Sequence, residues 1–151
     1  MIWGCMTAFG PGYMCQIMGT MDKEVYISIL EDCLLPTIKW YKLKSKDIYF
    51  QQDNDPKHSA ESVQQWLKKR KFETLIWPAQ SPDLNPIEHL WATIKRQLNE
   101  YEQPPNGILQ LWERIESIWN NIDKDVCINL IESMPRRIEA ALKAKGKWTN
   151  Y

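Results

Sequence analysis

Hydrophobic and polar positions along the chain follow two periods, one of two residues and one of three to four. Strand-forming residues at 1–9 and 13–20 flank Phe9-Gly10-Pro11-Gly12, which predicts a β-hairpin. From Asp22 onward, Tyr26, Ile29, Leu30, Cys33 and Leu34 recur at helical spacing, so a helix is expected over residues 22–41 with a break at Pro36. Asp47-Ile48-Tyr49-Phe50-Gln51-Gln52 reads as a strand with Asp53 at its C-terminal tip. Asp55-Pro56 sets a cap before a proline suited to the first helical position, and Val63, Trp66 and Leu67 extend that pattern into a helix of residues 57–70. Phe72 to Trp77 is another strand, followed by a proline-punctuated loop over 78–84.

Asn85-Pro86 opens the most regular helix, in which Ile87, Leu90, Trp91, Ile94, Leu98 and Tyr101 share a face. After Pro104-Pro105, the same spacing recurs in Ile108, Leu111, Trp112, Ile115, Trp119 and Ile122. A last helical stretch carries Cys127, Leu130, Ile131 and Met134, is split at Pro135 and resumes at Arg136. Trp66, Trp91, Trp112 and Trp119 sit at core-facing positions and are read as packing residues. The order β-β-α-β-α-β-α followed by helices predicts an α/β fold: a mixed sheet flanked by helices, with a helical C-terminal cap.

Composition narrows the function classes. A chain of 151 residues fits one domain, of the common size of about 100–150 residues. No apolar run approaches the roughly 18 residues of a membrane span, so no membrane partner is expected. The N-terminus lacks the pattern of a signal peptide, and the expected location is intracellular rather than secreted. Cys5, Cys15, Cys33 and Cys127 form no CxxC pair and are read as reduced, mostly packed thiols. Nineteen Lys and Arg balance nineteen Asp and Glu, which gives no global signal for nucleic acid. Local basic clusters occur at Lys39 to Lys46, at Lys68-Lys69-Arg70-Lys71, and at Arg136, Arg137, Lys143, Lys145 and Lys147. Their plain reading is solvated helix faces and ends; the functional alternative is contact with nucleic acid through Lys68, Lys69, Arg70 and Lys71.

Two stretches carry candidate chemistry, YFQQDNDPKHSA at 49–60 and WPAQSPDLNPIEHLW at 77–91. Asp53 stands where a strand ends and Glu88 in the first turn of a helix, positions at which α/β folds build sites. Two carboxylates brought together there suit Mg²⁺, which needs few protein ligands and completes its shell with water and phosphate. Each acid also has a structural reading. Glu88 can cap its helix behind Asn85 and favour the helix dipole; Asp53 can form an Asx turn, and Asp55 can cap the next helix. Asp83 is expected to bond nearby backbone. Glu88 and His89, adjacent on a helix, point about 100° apart, so no zinc-binding helix is present. His58, close to Asp53, is a candidate for contact with a phosphate or a ligating carboxylate, beside the plain reading of a surface histidine.

These stretches resemble the catalytic domain of mariner-superfamily transposases of the Tc-type branch, whose triad is Asp-Asp-Glu. The resemblance runs through WGC at 3–5, QQDNDPKHSA at 51–60, WPAQSPDLNPIEHLW at 77–91 and SMPRRIEAALKAKGKWTNY at 133–151, and 34 residues lie between Asp53 and Glu88, the separation this branch keeps. It implies a ribonuclease H-like fold and metal-dependent cleavage and joining of DNA with Mg²⁺ or Mn²⁺. Asp53 takes the second acidic role and Glu88 the third; the DNA partners are transposon ends and target DNA, and the location in a eukaryote is the nucleus.

The resemblance also places the first acid, on the first strand, upstream of Trp3, together with a DNA-binding region. The expectation is therefore a partial catalytic domain over 1–151 that lacks the first strand, binds metal weakly through two acids and is not competent alone. The alternatives are a non-catalytic module contacting DNA or protein, and a folded remnant. An unfilled sheet edge beside the hairpin further predicts self-association, a homodimer among the outcomes.

Overall fold

The computed structural model describes residues 1–78, 81–145, 147 and 149. Ala79 and Gln80 of the proline-punctuated loop, and Gly146, Trp148, Asn150 and Tyr151 of the C-terminal motif, lie outside the described residues. The chain divides into two compact units, residues 1–5 with 12–80 and residues 6–11 with 81–151.

Strand β1 (Ile2–Thr7) pairs with β2 (Gly10–Gln16) in the expected hairpin. The turn falls at Ala8-Phe9, ahead of the Gly-Pro-Gly signal. Thr7 draws it there: its Oγ1 accepts the Phe9 N–H at 3.0 Å and donates to the Gly10 carbonyl at 3.3 Å. Gly10 takes φ 136°, a left-handed value that a side chain would resist.

Helix α1 (Lys23–Ile29) starts at Asp22, whose Oδ1 accepts the Val25 N–H at 2.8 Å. Pro36 does not break the helix as expected. A proline cannot donate to the carbonyl four residues back and its ring crowds that carbonyl. The wider π turn Leu30–Leu34, in which the Leu35 N–H reaches the Leu30 carbonyl, absorbs the mismatch ahead of α2 (Leu35–Trp40). The fully buried Thr37 then knits helix to hairpin: its Oγ1 donates to the Cys33 carbonyl at 2.7 Å and accepts the Tyr13 N–H at 2.8 Å, with Cys5 Sγ at 3.4 Å.

Strand β3 (Tyr49–Phe50) runs parallel to β4 (Glu73–Thr74), Tyr49 opposite Glu73 and Phe50 opposite Thr74. The described residues thus hold two short ladders where a longer mixed sheet was expected. Gln52 lies past the ladder, and its side-chain amide accepts from the Tyr26 hydroxyl and donates to the His58 carbonyl. That carbonyl also splits the helix expected over 57–70 into α3 (Pro56–Ser59) and α4 (Glu61–Lys69). In a continuous helix it would accept from residue 62; here it takes the side-chain amides of Gln52 at 3.1 Å and Gln64 at 2.9 Å, and Ala60 turns to extended backbone. Tyr26, Leu30, Val63, Leu67, Phe50 and Phe72 are buried together in this unit. Full burial of a side chain such as Leu30 contributes roughly 1.5–3 kcal/mol.

In the second unit a 3₁₀ turn, Pro82–Leu84, precedes α5 (Ile87–Leu98), which packs on α6 (Ile108–Asn120). Leu90, Ile94, Ile115, Ile118 and Trp119 are buried, and Trp91 stacks on Trp119 at 5.2 Å. Tyr101 falls beyond the end of α5 and is exposed, with Arg114 over its ring at 4.2 Å. Helices α7 (Lys124–Glu132) and α8 (Met134–Lys143) part at Ser133, and Pro135 sits in the first turn of α8, where no N–H is needed. Among the described residues no helix is long and apolar enough to cross a membrane.

Candidate functional site

Asp53 stands three residues past the end of β3 rather than on the strand tip, in the turn that leads to α3. Its side chain is 59% exposed. Oδ1 accepts the Asp55 N–H at 3.1 Å, so the Asx turn foreseen as the structural role is realised. The same oxygen lies 2.5 Å from His58 Nδ1. His58 is thus no plain surface residue: its ring is 15% exposed and packs on Tyr26 with centroids 4.1 Å apart. Since Asp53 accepts, Nδ1 carries the proton, and Nε2 is buried without a partner among the described residues. A pair of bonds backs the arrangement, the Tyr26 hydroxyl donating to Gln52 Oε1 at 2.8 Å and Gln52 Nε2 donating to the His58 carbonyl. Burial pushes the Tyr26 phenol up, which keeps it a donor. Asp55 is the helix cap, as expected, with Oδ1 on the Lys57 N–H and Oδ2 2.9 Å from Lys57 Nζ. Partial desolvation would raise its carboxyl, but these Lys57 contacts hold it below the ordinary range. Asn54 Nδ2 donates to the Trp77 carbonyl at 2.7 Å, fixing the turn from the other side.

Glu88 belongs to the second unit, exposed in the first turn of α5, and its N–H meets the Asn85 carbonyl at 3.2 Å. The helix is capped at Pro86 rather than Asn85. The neighbouring His89 faces a group that sequence reading missed. Arg137, assigned to a solvated basic tail, is 1% exposed. Its Nε donates to Ser133 Oγ at 2.7 Å and its Nη1 to the Asp83 carbonyl at 2.8 Å; Nη2 lies 3.3 and 3.4 Å from the two ring nitrogens of His89. Burial, then the guanidinium charge, lower the His89 imidazole below its ordinary value. Asp83 is buried as well; its carboxylate bonds not nearby backbone, as expected, but Thr149 Oγ1 at 2.8 Å. A signal for Arg137 existed: Met134, Arg137 and Ala141 fall at helical spacing, so the arginine occupies a slot in the inward stripe.

Of the candidate nucleic-acid contacts, Lys68, Lys69 and Lys71 are exposed at the end of α4. Arg70 is engaged, its Nη2 3.1 Å from Glu31 Oε1 and its guanidinium over the Trp66 ring at 5.3 Å. The four cysteines are free thiols, three of them buried.

Among the described residues no group of three or more His, Cys, Asp or Glu is arranged to hold a metal ion. The chemistry of the donors nevertheless fits a hard divalent cation: Asp53 is an exposed carboxylate oriented through Oδ1, and Glu88 is an exposed carboxylate on a helix.

The fold is ribonuclease H-like. It matches the solved Mos1 transposase catalytic domain with raltegravir and Mg at a TM-score of 0.86 and 23% identity, over 99% of this chain and 76% of that one. It matches the Mos1 paired-end complex with left transposon end at 0.86 and 23%, over 97% and 44%; Mos1 is a mariner transposase of Drosophila mauritiana. Residues 2–107 match the family model described as DDE superfamily endonuclease, and the chain belongs to that family. The transposable element Tcb1 transposase of Caenorhabditis briggsae is 41% identical over 152 residues, covering all of this chain and 54% of that protein. The chain therefore spans about half the length of the curated relatives it matches.

Proposed function

We propose that this chain is catalytic-domain sequence of a DDE transposase, with Asp53 and Glu88 as two of its metal-binding acids and Mg²⁺ or Mn²⁺ as the cation. The observation that carries the reading is the state of Asp53. It is exposed, and Oδ1 is fixed by His58 and the Asp55 N–H inside a family match that also spans Glu88. The substrate is DNA: transposon ends and a target duplex, acted on in the nucleus where the host is a eukaryote. Bound divalent ions would supply Lewis-acid stabilisation of charge on phosphoryl oxygens and a water of lowered pKa. The protein's own part is to hold the two carboxylates, with His58 keeping Asp53 in one rotamer. With these two acids, cation binding is expected to be weak.

The test is a Mn²⁺ titration followed by electron paramagnetic resonance on the parent chain, Asp53→Ala and Glu88→Ala. Weak binding in the parent, lost in each variant, is the expected result; variants that titrate like the parent overturn the assignment.

A second reading, a non-catalytic DNA-binding module, is favoured by the exposed Lys68, Lys69 and Lys71. Under it Asp53→Ala leaves DNA binding unchanged, whereas reversing those three charges weakens binding and flattens its salt dependence.

A further inference from the structure

We infer that Arg137 is a positioning residue for Glu88, holding in one geometry the turn-to-helix segment that presents this carboxylate. The inference rests on the reading of Glu88 as a metal-binding acid.

The segment is turned tightly. The Leu84 N–H reaches Ser81 O at 3.2 Å, Asn85 N–H reaches Pro82 O at 2.9 Å, Glu88 N–H reaches Asn85 O at 3.2 Å and His89 N–H reaches Pro86 O at 3.2 Å. All four span three residues, the tighter pattern with poorer hydrogen-bond geometry than an α-helix. Prolines at 82 and 86 remove two further donors. A stretch built this way is steadied by a contact that holds it from outside.

Arg137 is that hold. Two of its bonds leave α8 and land on either side of Glu88: Nη1 on the Asp83 carbonyl and Nη2 on the His89 ring. The third, from Nε to Ser133, anchors the fork at the start of its own helix. A guanidinium holds its donors in one rigid plane and can bridge three such points at once, whereas an ammonium is a single point charge. Burying that cation is costly unless it is bonded throughout, so the guanidinium and its partners lock each other in place. Thr149 adds a fastening to the Asp83 carboxylate from the C-terminal tail. Ser133, Arg137 and Thr149 are thus joined to the turn that carries the acid, which gives the SMPRR sequence a task that helix formation alone does not require.

The test compares the parent with Arg137→Met, Arg137→Lys and the milder Ser133→Ala, which keeps the chain folded if the first variant does not. The first readout is amide hydrogen exchange. Exchange at residues 84–89 is expected to accelerate tenfold or more in Arg137→Lys, and less in Ser133→Ala, while amides of α6 keep parental protection. A purely structural role would speed α6 equally, and that result, or unchanged exchange at 84–89, overturns the proposal. The second readout is paramagnetic broadening of backbone amides by Mn²⁺. In the parent, broadening is expected around both 53 and 88; in Arg137→Lys it is expected to fade around 88 and persist around 53. Broadening around 88 that persists at parental strength in the variant overturns the positioning role. No broadening around 88 in the parent instead overturns the reading of Glu88 as a ligand, and the role of Arg137 falls with it.

Discussion

Replacing His58 separates what the imidazole does for folding from what it does for Asp53. In His58→Phe the ring that packs on Tyr26 is kept, while both nitrogens are removed. The lost bond to Asp53 is worth little to folding. A charge-assisted hydrogen bond contributes about 1.5–3 kcal/mol when protected, but this carboxylate is more than half exposed and water replaces the donor, so about 0.5–1 kcal/mol is the sensible figure. Against that, the parent buries Nε2 with no partner among the described residues, a defect of about 1–3 kcal/mol that phenylalanine abolishes. The gain is at least as large as the loss, and His58→Phe is expected to lie between parental stability and about 2.5 kcal/mol above it in urea denaturation. His58→Asn does the opposite. Its amide can stand where Nδ1 stood and still donate to Asp53, but the ring contact with Tyr26 is lost and a gap is left, costing roughly 1–3 kcal/mol. Metal affinity should follow the donor rather than stability. Loss of a partner that orients a ligating carboxylate typically costs about 10–100-fold. Mn²⁺ binding should therefore drop by that factor in His58→Phe and stay within a few-fold in His58→Asn. The reasoning is refuted if His58→Phe retains parental Mn²⁺ affinity, or if it destabilises the protein by more than about 1 kcal/mol.

Further outcomes follow from the same structure. A Cβ at Gly12 would lie 2.6 Å from Cys5 Sγ and from Thr37 Cγ2 and Oγ1; Gly12→Ala is therefore expected to cost about 1–3 kcal/mol in urea denaturation, with part recovered in Gly12→Ala/Cys5→Ala, and a neutral Gly12→Ala would contradict the packing. Burial pushes the Cys5 thiol up to about 11 from an ordinary value of 9.0. Because the folded value is the higher one, the unfolded chain ionises first: the contribution is fully present below about pH 9 and is lost as pH rises towards 11. Comparing denaturation of parent and Cys5→Ala over that range should show an extra parental slope approaching about 1.4 kcal/mol per pH unit, and parallel curves would count against it. Burial likewise holds the Cys127 thiol up at about 11, so at pH 8 iodoacetamide should leave Cys127 unmodified in the native protein and label it readily in urea.

The parts of the fold that were legible beforehand are those decided by local pattern. The repeats in α5 and α6 needed only the spacing of Leu90, Ile94, Ile115 and Trp119, and the caps at Asp22 and Asp55 needed only a carboxylate before a helix. What failed was decided by competition over distance. Nothing in residues 57–70 announces a break at Ala60, because the break is made by Gln52, outside that stretch, and by Gln64, whose ordinary role would be a solvated helix face. Pro36 was visible as a problem, but its solution, a π turn with Thr37 serving the Cys33 carbonyl and the Tyr13 N–H, depends on a hairpin more than twenty residues upstream. The hairpin turn moved because a threonine hydroxyl outcompeted the glycines for its position.

The same division runs through the candidate site. Asp53 and Glu88 are proposed through motif and spacing, because a metal-binding acid must be a carboxylate and leaves that mark in the sequence. The residues that orient them leave a weaker one, since an orienting group is defined by where it is rather than by what it is. His58 could be suspected from its closeness to Asp53, yet its partners Tyr26 and Gln52 could not. Arg70 and Arg137 show the limit most plainly. Both sit in basic runs, and counting charge assigns both to solvent. In the folded chain Arg70 bonds Glu31 across 39 residues and Arg137 bonds the Asp83 carbonyl across 54, one half-exposed beside a tryptophan and the other buried. Both fall at helical spacing with apolar neighbours, Arg70 with Val63, Trp66 and Leu67 and Arg137 with Met134 and Ala141, but Arg70 is the C-cap of its helix and reaches solvent, whereas Arg137 lies inside α8, where a cation must find partners within the protein. A charged residue in the inward stripe of an otherwise amphipathic helix is therefore the feature by which a positioning residue of this kind can be recognised before any coordinates exist.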